Sequence, residues 1–163
     1  MTRDQFIELV KAEQEALRRF LLTLCCGNAD EADDLAQESL VKAYLSSADY
    51  KDKGKFHSWL YKIAYNTFIS SRRQASQTTS LDELTDRPDT SLSPDRNYRY
   101  QHLYAALREL QPKERTALVL FYMDDRSTKE IARIIDSTEA AVRQQLSRGR
   151  EHLRNTLRQY GER

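Results

Sequence analysis

A chain of 163 residues has room for one ordinary domain or two small ones. Charged residues make up 31% and hydrophobic ones 39%, and 26 basic side chains against 25 acidic ones leave a net charge of +1. No apolar run approaches the roughly 20 residues of a membrane span, four Gly and three Pro disfavour turn-rich all-β folds and Gly-rich phosphate loops, and the adjacent Cys25 and Cys26 cannot build a disulfide framework.

What remains is an all-α, cytoplasmic protein with reduced thiols. The N-terminal MTRDQFIELV lacks the apolar core of a secretory signal. Thr2 and Gln5 have the spacing of a capping box, and Phe6, Leu9, Val10, Leu17, Phe20, Leu21 and Leu24 follow at helical spacing up to the stop at Gly27. A second helix is expected from about Asp30, where acidic residues suit the positive end of the helix dipole. Leu35, Ala36, Leu40, Ala43 and Tyr44 form its apolar stripe. Residues 1–49 carry 5 basic and 10 acidic side chains, so this face repels nucleic acid or meets a basic protein surface.

The basic loop Tyr50–Lys55 leads into a third helix with two stripes. Phe56, Trp59, Leu60, Ile63, Ala64 and Thr67 make a core stripe. Tyr61, Tyr65, Phe68 and Arg72 recur on another face, beside Lys62 and Arg73. Two readings stay open for this second face: packing on neighbouring helices, or a solvent-facing strip that stacks unpaired bases while its cations hold phosphates. Residues 50–75 hold 6 basic side chains against 1 acidic one. Residues 76–97 are rich in Ser, Thr and Asp and show no sustained periodicity, so they are expected to form an extended, mobile linker between modules spanning 1–75 and 98–163.

In the second module Tyr100, Leu103, Leu107 and Leu110 mark a helix, and Pro112 opens the next. Ser127 and Glu130 then cap a short helix containing Ile131, Ala132, Ile134 and Ile135. A turn at Asp136-Ser137, with Asp136 in the left-handed conformation, leads to a long helix that buries Val142 and Leu146. This is the pattern of a helix-turn-helix. Its exposed N-terminal face, Glu139, Ala140, Arg143, Gln144 and Ser147, would enter the major groove, with Arg143 able to pair with guanine and Gln144 with adenine. Arg148, Arg150 and Arg154 are better placed for phosphates or for neighbouring helices. The same pattern also describes an ordinary helical hairpin with a solvated basic face.

EADDLAQESLVKAY, KGKFHSWLYKIAYNTFISSRR and STKEIARIIDSTEAAVRQQLSRGREHL, in that order and spacing, resemble the extracytoplasmic-function (ECF, group IV) sigma factors of bacterial RNA polymerase. The resemblance covers nearly the whole chain. It implies a sigma-2 domain over 1–75, a linker over 76–97 and a sigma-4 domain over 98–163. It further implies that Asp34, Leu35, Gln37 and Glu38 dock on the clamp helices of the polymerase β′ subunit. The minus-ten promoter element would be captured and melted by Tyr50, Lys51, Lys53 and Lys55 together with Trp59, Tyr61, Lys62, Tyr65 and Asn66. The minus-thirty-five element would be read by Glu139, Ala140, Arg143, Gln144, Ser147 and Arg148. Further implied partners are the β flap, double- and single-stranded promoter DNA, and an anti-sigma factor, with no membrane insertion.

The family's recognition helix often reads TVKSRLSRAR where this chain has AVRQQLSRGR, so a promoter sequence does not transfer. Gly149 inside that helix costs about 1 kcal/mol relative to Ala. His57, His102 and His152 are scattered without companion ligands, and no catalytic motif, metal site or cofactor site is expected. The rival readings are a stand-alone helix-turn-helix regulator with an N-terminal dimerisation or sensor domain, and a helical protein-interaction module that does not bind DNA.

Overall fold

The computed structural model describes residues 1–51, 54–78 and 94–161. Among these residues are seven α-helices, α1 (Arg3–Leu24), α2 (Ala29–Ser46), α3 (Phe56–Thr78), α4 (Pro94–Arg108), α5 (Pro112–Tyr122), α6 (Thr128–Ile134) and α7 (Glu139–Gly161), and a 3-10 turn, Ser47–Asp49. Among the described residues there is no strand, and no helix is long and apolar enough to cross a membrane.

Local chemistry explains the helix ends. The Thr2 hydroxyl accepts from the Gln5 amide while the Gln5 side chain accepts from the Thr2 amide, so two otherwise orphaned donors at the start of α1 are satisfied. Asn28 caps α2 by accepting from the Glu31 amide, one residue before the expected start. Between these helices Cys26 and Gly27 both take positive φ, and Gly27 is doubly constrained. A Cβ there would lie 2.9 Å from the Tyr104 ring of α4. In the second module Ser127 caps α6, Asp136 has φ 53°, and the Thr138 hydroxyl accepts from the Ala141 amide at the start of α7. The left-handed turn read from the sequence at Asp136 is therefore present.

Helices α1–α3 and α4–α7 form the two helical modules. Their boundaries differ from the sequence reading: α3 runs on to Thr78, and α4 opens at Pro94 rather than near Tyr100, so helix enters the expected linker from both sides. A proline in the first turn lacks only an amide that would be unpaired anyway. The remainder of that linker, 79–93, lies outside the described residues.

The modules share one core. Phe20, Leu21 and Leu24 of α1 join Leu60, Tyr61 and Phe68 of α3, and the same cluster continues through Leu118 and Leu120 of α5 to Ile131, Val142 and Leu146 of the helix-turn-helix. Helix α1 packs on α5, and α3 packs on α6. The bond that best shows this continuity comes from Arg115, which is 6% exposed. Its Nη1 donates to Leu24 O at the end of α1 (2.7 Å), and its other nitrogens donate to Leu107 O, Arg108 O and Leu110 O around the end of α4. A buried cation is thus placed where two helix C-termini present unpaired carbonyls and negative dipole ends.

Gly149 has a packing reason that outweighs its poor helix propensity. A Cβ at that position would approach Leu118 Cδ1 to 2.9 Å and Leu118 Cγ to 3.2 Å, so its absence lets α7 press against α5. Gly149→Leu is expected to lower unfolding free energy by about 1–3 kcal/mol through overpacking, as read by denaturant titration.

Candidate nucleic-acid interface

Helix α3 is buried on more sides than its sequence implied. Phe56, Leu60, Ala64 and Thr67 are in the core as expected, with Trp59 and Ile63 half-buried. The second stripe is buried too: Tyr61 is 0% exposed, Tyr65 4% and Phe68 0%. Of the two readings left open for this face, packing on neighbouring helices is the one found, and the minus-ten role that the resemblance implied for Tyr61 and Tyr65 is corrected, since neither ring reaches the surface. Tyr61 packs between Phe20 of α1 (ring centroids 4.7 Å apart) and His57, which stacks on it at 3.9 Å. The physical reason is that α3 packs against α1, α2 and α6, so both apolar stripes are covered. Burial raises the pKa of both phenols. The Tyr61 hydroxyl has no hydrogen-bond partner among the described residues. Arg72, expected beside the aromatics, lies over the Phe68 ring and pairs with Glu31 of α2 at 3.2 Å.

The exposed face of α3 is polar. Lys62, Asn66, Ser70 and Arg73 recur at helical spacing and are all exposed. At its N-terminal end lies an accessible aromatic pair, Tyr50 and Trp59, with centroids 4.5 Å apart and both rings half-buried over Phe56. Lys51 and Lys55 are exposed beside them, and Gly54 between them takes a positive φ. Lys53 lies outside the described residues. The structure thus brings Tyr50, Lys51, Lys55, Trp59, Lys62 and Asn66 to one end and face of α3, and places Tyr61 and Tyr65 elsewhere.

On α7, Glu139, Ala140, Arg143, Gln144, Ser147 and Arg148 are all exposed, while Val142 (0%) and Leu146 (3%) face the core. Arg143 pairs loosely with Glu139 at 3.6 Å, both largely solvated, so its guanidinium is readily released. On α2, Asp34, Gln37 and Glu38 are exposed, and Glu38 pairs with Lys42 at 3.2 Å. Leu35 is 4% exposed and belongs to the core, so it holds α2 in place and does not present itself on the surface. Next to this acidic face are Val41, Tyr44 and Leu45, apolar yet 58%, 49% and 75% exposed.

The sequence left His57 without a partner and did not single out Glu13, Asp124 or Arg126. His57 lies between Glu13 of α1 and Asp124 of the α5–α6 turn, with 2.7 Å to each carboxylate. Arg126 donates to the same Asp124 and to Glu130. Burial alone raises the Asp124 pKa, but His57 and Arg126 outweigh it and hold the carboxyl below its usual range. No local signal marks this cluster, because His57 is separated from its partners by 44 and 67 residues. Cys25 and Cys26 are buried and are not joined in a disulfide, and burial pushes the Cys25 thiol up, away from the reactive thiolate. Among the described residues no cluster could hold a metal ion.

A helix-turn-helix joined to a three-helix module with an acidic face and a polar-basic face defines a class of two-module transcription protein, and comparison with known proteins identifies it. Residues 9–78 match the family model "Sigma-70 region 2", and residues 100–153 match "Sigma-70, region 4". The chain is 30% identical to the RNA polymerase sigma-H factor of Pseudomonas aeruginosa, covering 80% of this chain and 75% of that protein. It is 32% identical to the ECF RNA polymerase sigma factor SigE of Mycolicibacterium smegmatis over 92% of this chain, spanning 60% of that relative's length. Its fold is similar to that of the sigma factor RpoE crystallised with the anti-sigma factor NepR from Bartonella quintana, with a TM-score of 0.76, 24% identity, and 94% of this chain and 97% of that chain covered. The chain belongs to the sigma-70 family of RNA polymerase sigma factors, in its ECF group. The region 2 match gives no support to a dimerisation or sensor domain in the N-terminal module.

Proposed function

We propose that the chain carries RNA polymerase core to promoters, reads an upstream duplex element with α7 and holds a strand of the downstream element against α3. The observation that carries this reading is the pairing, in one chain, of an exposed major-groove face (Glu139, Ala140, Arg143, Gln144, Ser147, Arg148) with a single-strand face. That second face joins the Tyr50–Trp59 aromatic pair to Lys51, Lys55, Lys62 and Asn66. Aromatic rings stack bases of any sequence, and the lysines hold the phosphates. Arg143 and Gln144 have the donors and acceptors to distinguish base pairs, while Arg148 serves the phosphate backbone. Catalysis belongs to the polymerase, and the protein acts in the cytoplasm. The β flap is a further contact of the C-terminal module, and an anti-sigma factor is a regulating partner.

The exposed acidic strip Asp34, Gln37 and Glu38, next to the solvent-exposed Val41, Tyr44 and Leu45, is the docking face for the β′ clamp helices. Acidic residues here keep this side away from DNA, and the apolar patch supplies area to bury. Run-off transcription with purified core on a promoter library tests the whole reading; absence of any core-dependent transcript overturns it. Asp34→Arg and Glu38→Arg are expected to weaken core binding about tenfold each by placing like charges against a basic surface, with thermal unfolding unchanged because both side chains are exposed. Titration of core by native gel reads the affinity.

A further inference from the structure

The His57 cluster joins three elements from two modules, and its geometry fixes the ring's charge. His57 Nδ1 lies 2.7 Å from Glu13 Oε2, and Nε2 lies 2.7 Å from Asp124 Oδ2. A neutral imidazole has one N–H and one lone pair, so it satisfies one carboxylate and turns its lone pair on the other. Two carboxylates at this distance require both nitrogens to donate. The ring is 13% exposed and the carboxylates 24% and 18%, so water screens the repulsion of a neutral ring only weakly. We propose that His57 is a proton-operated latch: with both ring nitrogens protonated it ties α1 and α3 of the N-terminal module to the α5–α6 turn of the C-terminal module, and loss of one proton releases the turn.

The partners decide which bond is lost. Among the described residues Glu13 has only His57 as a hydrogen-bond partner, whereas Asp124 Oδ2 also accepts from Arg126 Nε at 2.8 Å. The single proton of a neutral ring therefore stays on the Glu13 side, within the N-terminal module. The bond that breaks is the one between modules. The charged and titratable groups around the ring are Glu13 and Arg19 on α1, Tyr61 on α3, Asp124 and Arg126 in the turn, and Glu130 on α6. Burial alone lowers the ring's pKa, but the hydrogen bonds it donates to Asp124 and then Glu13 more than reverse this, and the net direction is upward from 6.5. A raised folded pKa means the tie is fully present below the ordinary histidine value and is lost as pH rises through the raised one.

Two further features suit a closed state that opens. The buried Tyr61 hydroxyl beneath His57 lacks a partner among the described residues, which is a standing cost of the closed arrangement. Another inter-module bond, from Arg115 to Leu24 O, involves a guanidinium that stays charged throughout this pH range. Of these two inter-module bonds, it is the His57 contact that responds to a proton. The consequence for promoter opening rests on the function proposed above, since the latch holds α6 against the helix that carries Trp59 and Asn66.

The test is made on the free full chain and needs no transcription. Small-angle scattering from about pH 6 to about pH 9 reads the separation of the modules, and NMR of the His57 ring over the same range reads its protonation. The radius of gyration is expected to rise with pH with the same midpoint as the ring. His57→Gln is expected to abolish that pH dependence. Asp124→Asn keeps the histidine and replaces the carboxylate with an amide that can accept from the protonated ring or donate to the neutral one, so it is expected to move the ring's midpoint down toward 6.5 and to remove the pH dependence of the radius. A radius independent of pH in the parent, a rise that persists in His57→Gln, or an unmoved midpoint in Asp124→Asn overturns the latch. A pH-dependent radius in a protein that supports no transcription with core leaves the latch standing and overturns the proposed function instead.

Discussion

Arg115→Met is expected to lower the unfolding free energy by about 2–4 kcal/mol, a large part of the stability of a small two-module protein. Met fills most of the stem's volume, so the loss isolates the guanidinium. Four carbonyls at the ends of α1 and α4 lose a donor, in a site where Arg115 is 6% exposed and water has little access. Orphaned buried acceptors cost about 1–3 kcal/mol each when nothing replaces the donor, although Leu107 O retains the Leu110 amide and Leu110 O is the most distant of the four. Arg115→Lys is expected to recover little, because a single ammonium cannot span acceptors on two helices. Guanidinium titration followed by circular dichroism gives both values. If Arg115→Met unfolds at the parent's midpoint, Arg115 does not contribute to joining the modules.

Local signals in the sequence were reliable where one element decided the outcome. The Thr2–Gln5 capping box, the left-handed Asp136 turn and the exposure of Arg143 and Gln144 all follow from residue type and helical period, and all are present. Leu35 was legible both as core and as part of the docking block, and only burial separates the two. The second stripe of α3 misled because period reports which residues share a face, not what covers it. Tyr61 and Tyr65 fall beside cations as a base-stacking strip would, yet both are buried by neighbouring helices, Tyr61 against Phe20 of α1. His57 and Arg115 act through partners far away in the chain, and Gly149 read as a defect until its distance to Leu118 was known. The first two depend on how the modules pack and the third on how α7 packs against α5, which no local window contains.

Promoter opening should depend on the exposed face of α3 and not on its buried tyrosines. Lys62→Ala combined with Asn66→Ala is expected to leave folding and duplex promoter binding close to the parent's, since both side chains are exposed. The pair should nonetheless reduce open-complex formation at least about tenfold. Stacking contributes about 1–3 kcal/mol per base, and flipping a base out of the duplex costs a comparable few kcal/mol. With those terms nearly balanced, losing one polar contact to the captured strand and one phosphate contact tips the equilibrium back to duplex. Trp59→Ala should be more severe for opening, since it removes half of the Tyr50–Trp59 platform, but part of its effect is lost packing on Phe56. Tyr61→Phe is the contrast: it keeps the ring between Phe20 and His57 and drops only the unpaired hydroxyl, so promoter opening and stability should match or exceed the parent's. Permanganate reactivity of unpaired thymines, measured with polymerase holoenzyme assembled from each variant, reports opening directly. If the Lys62 and Asn66 double variant melts the promoter as the parent does while Tyr61→Phe does not, strand capture belongs to the covered face of α3, and the modules must part before a promoter can open.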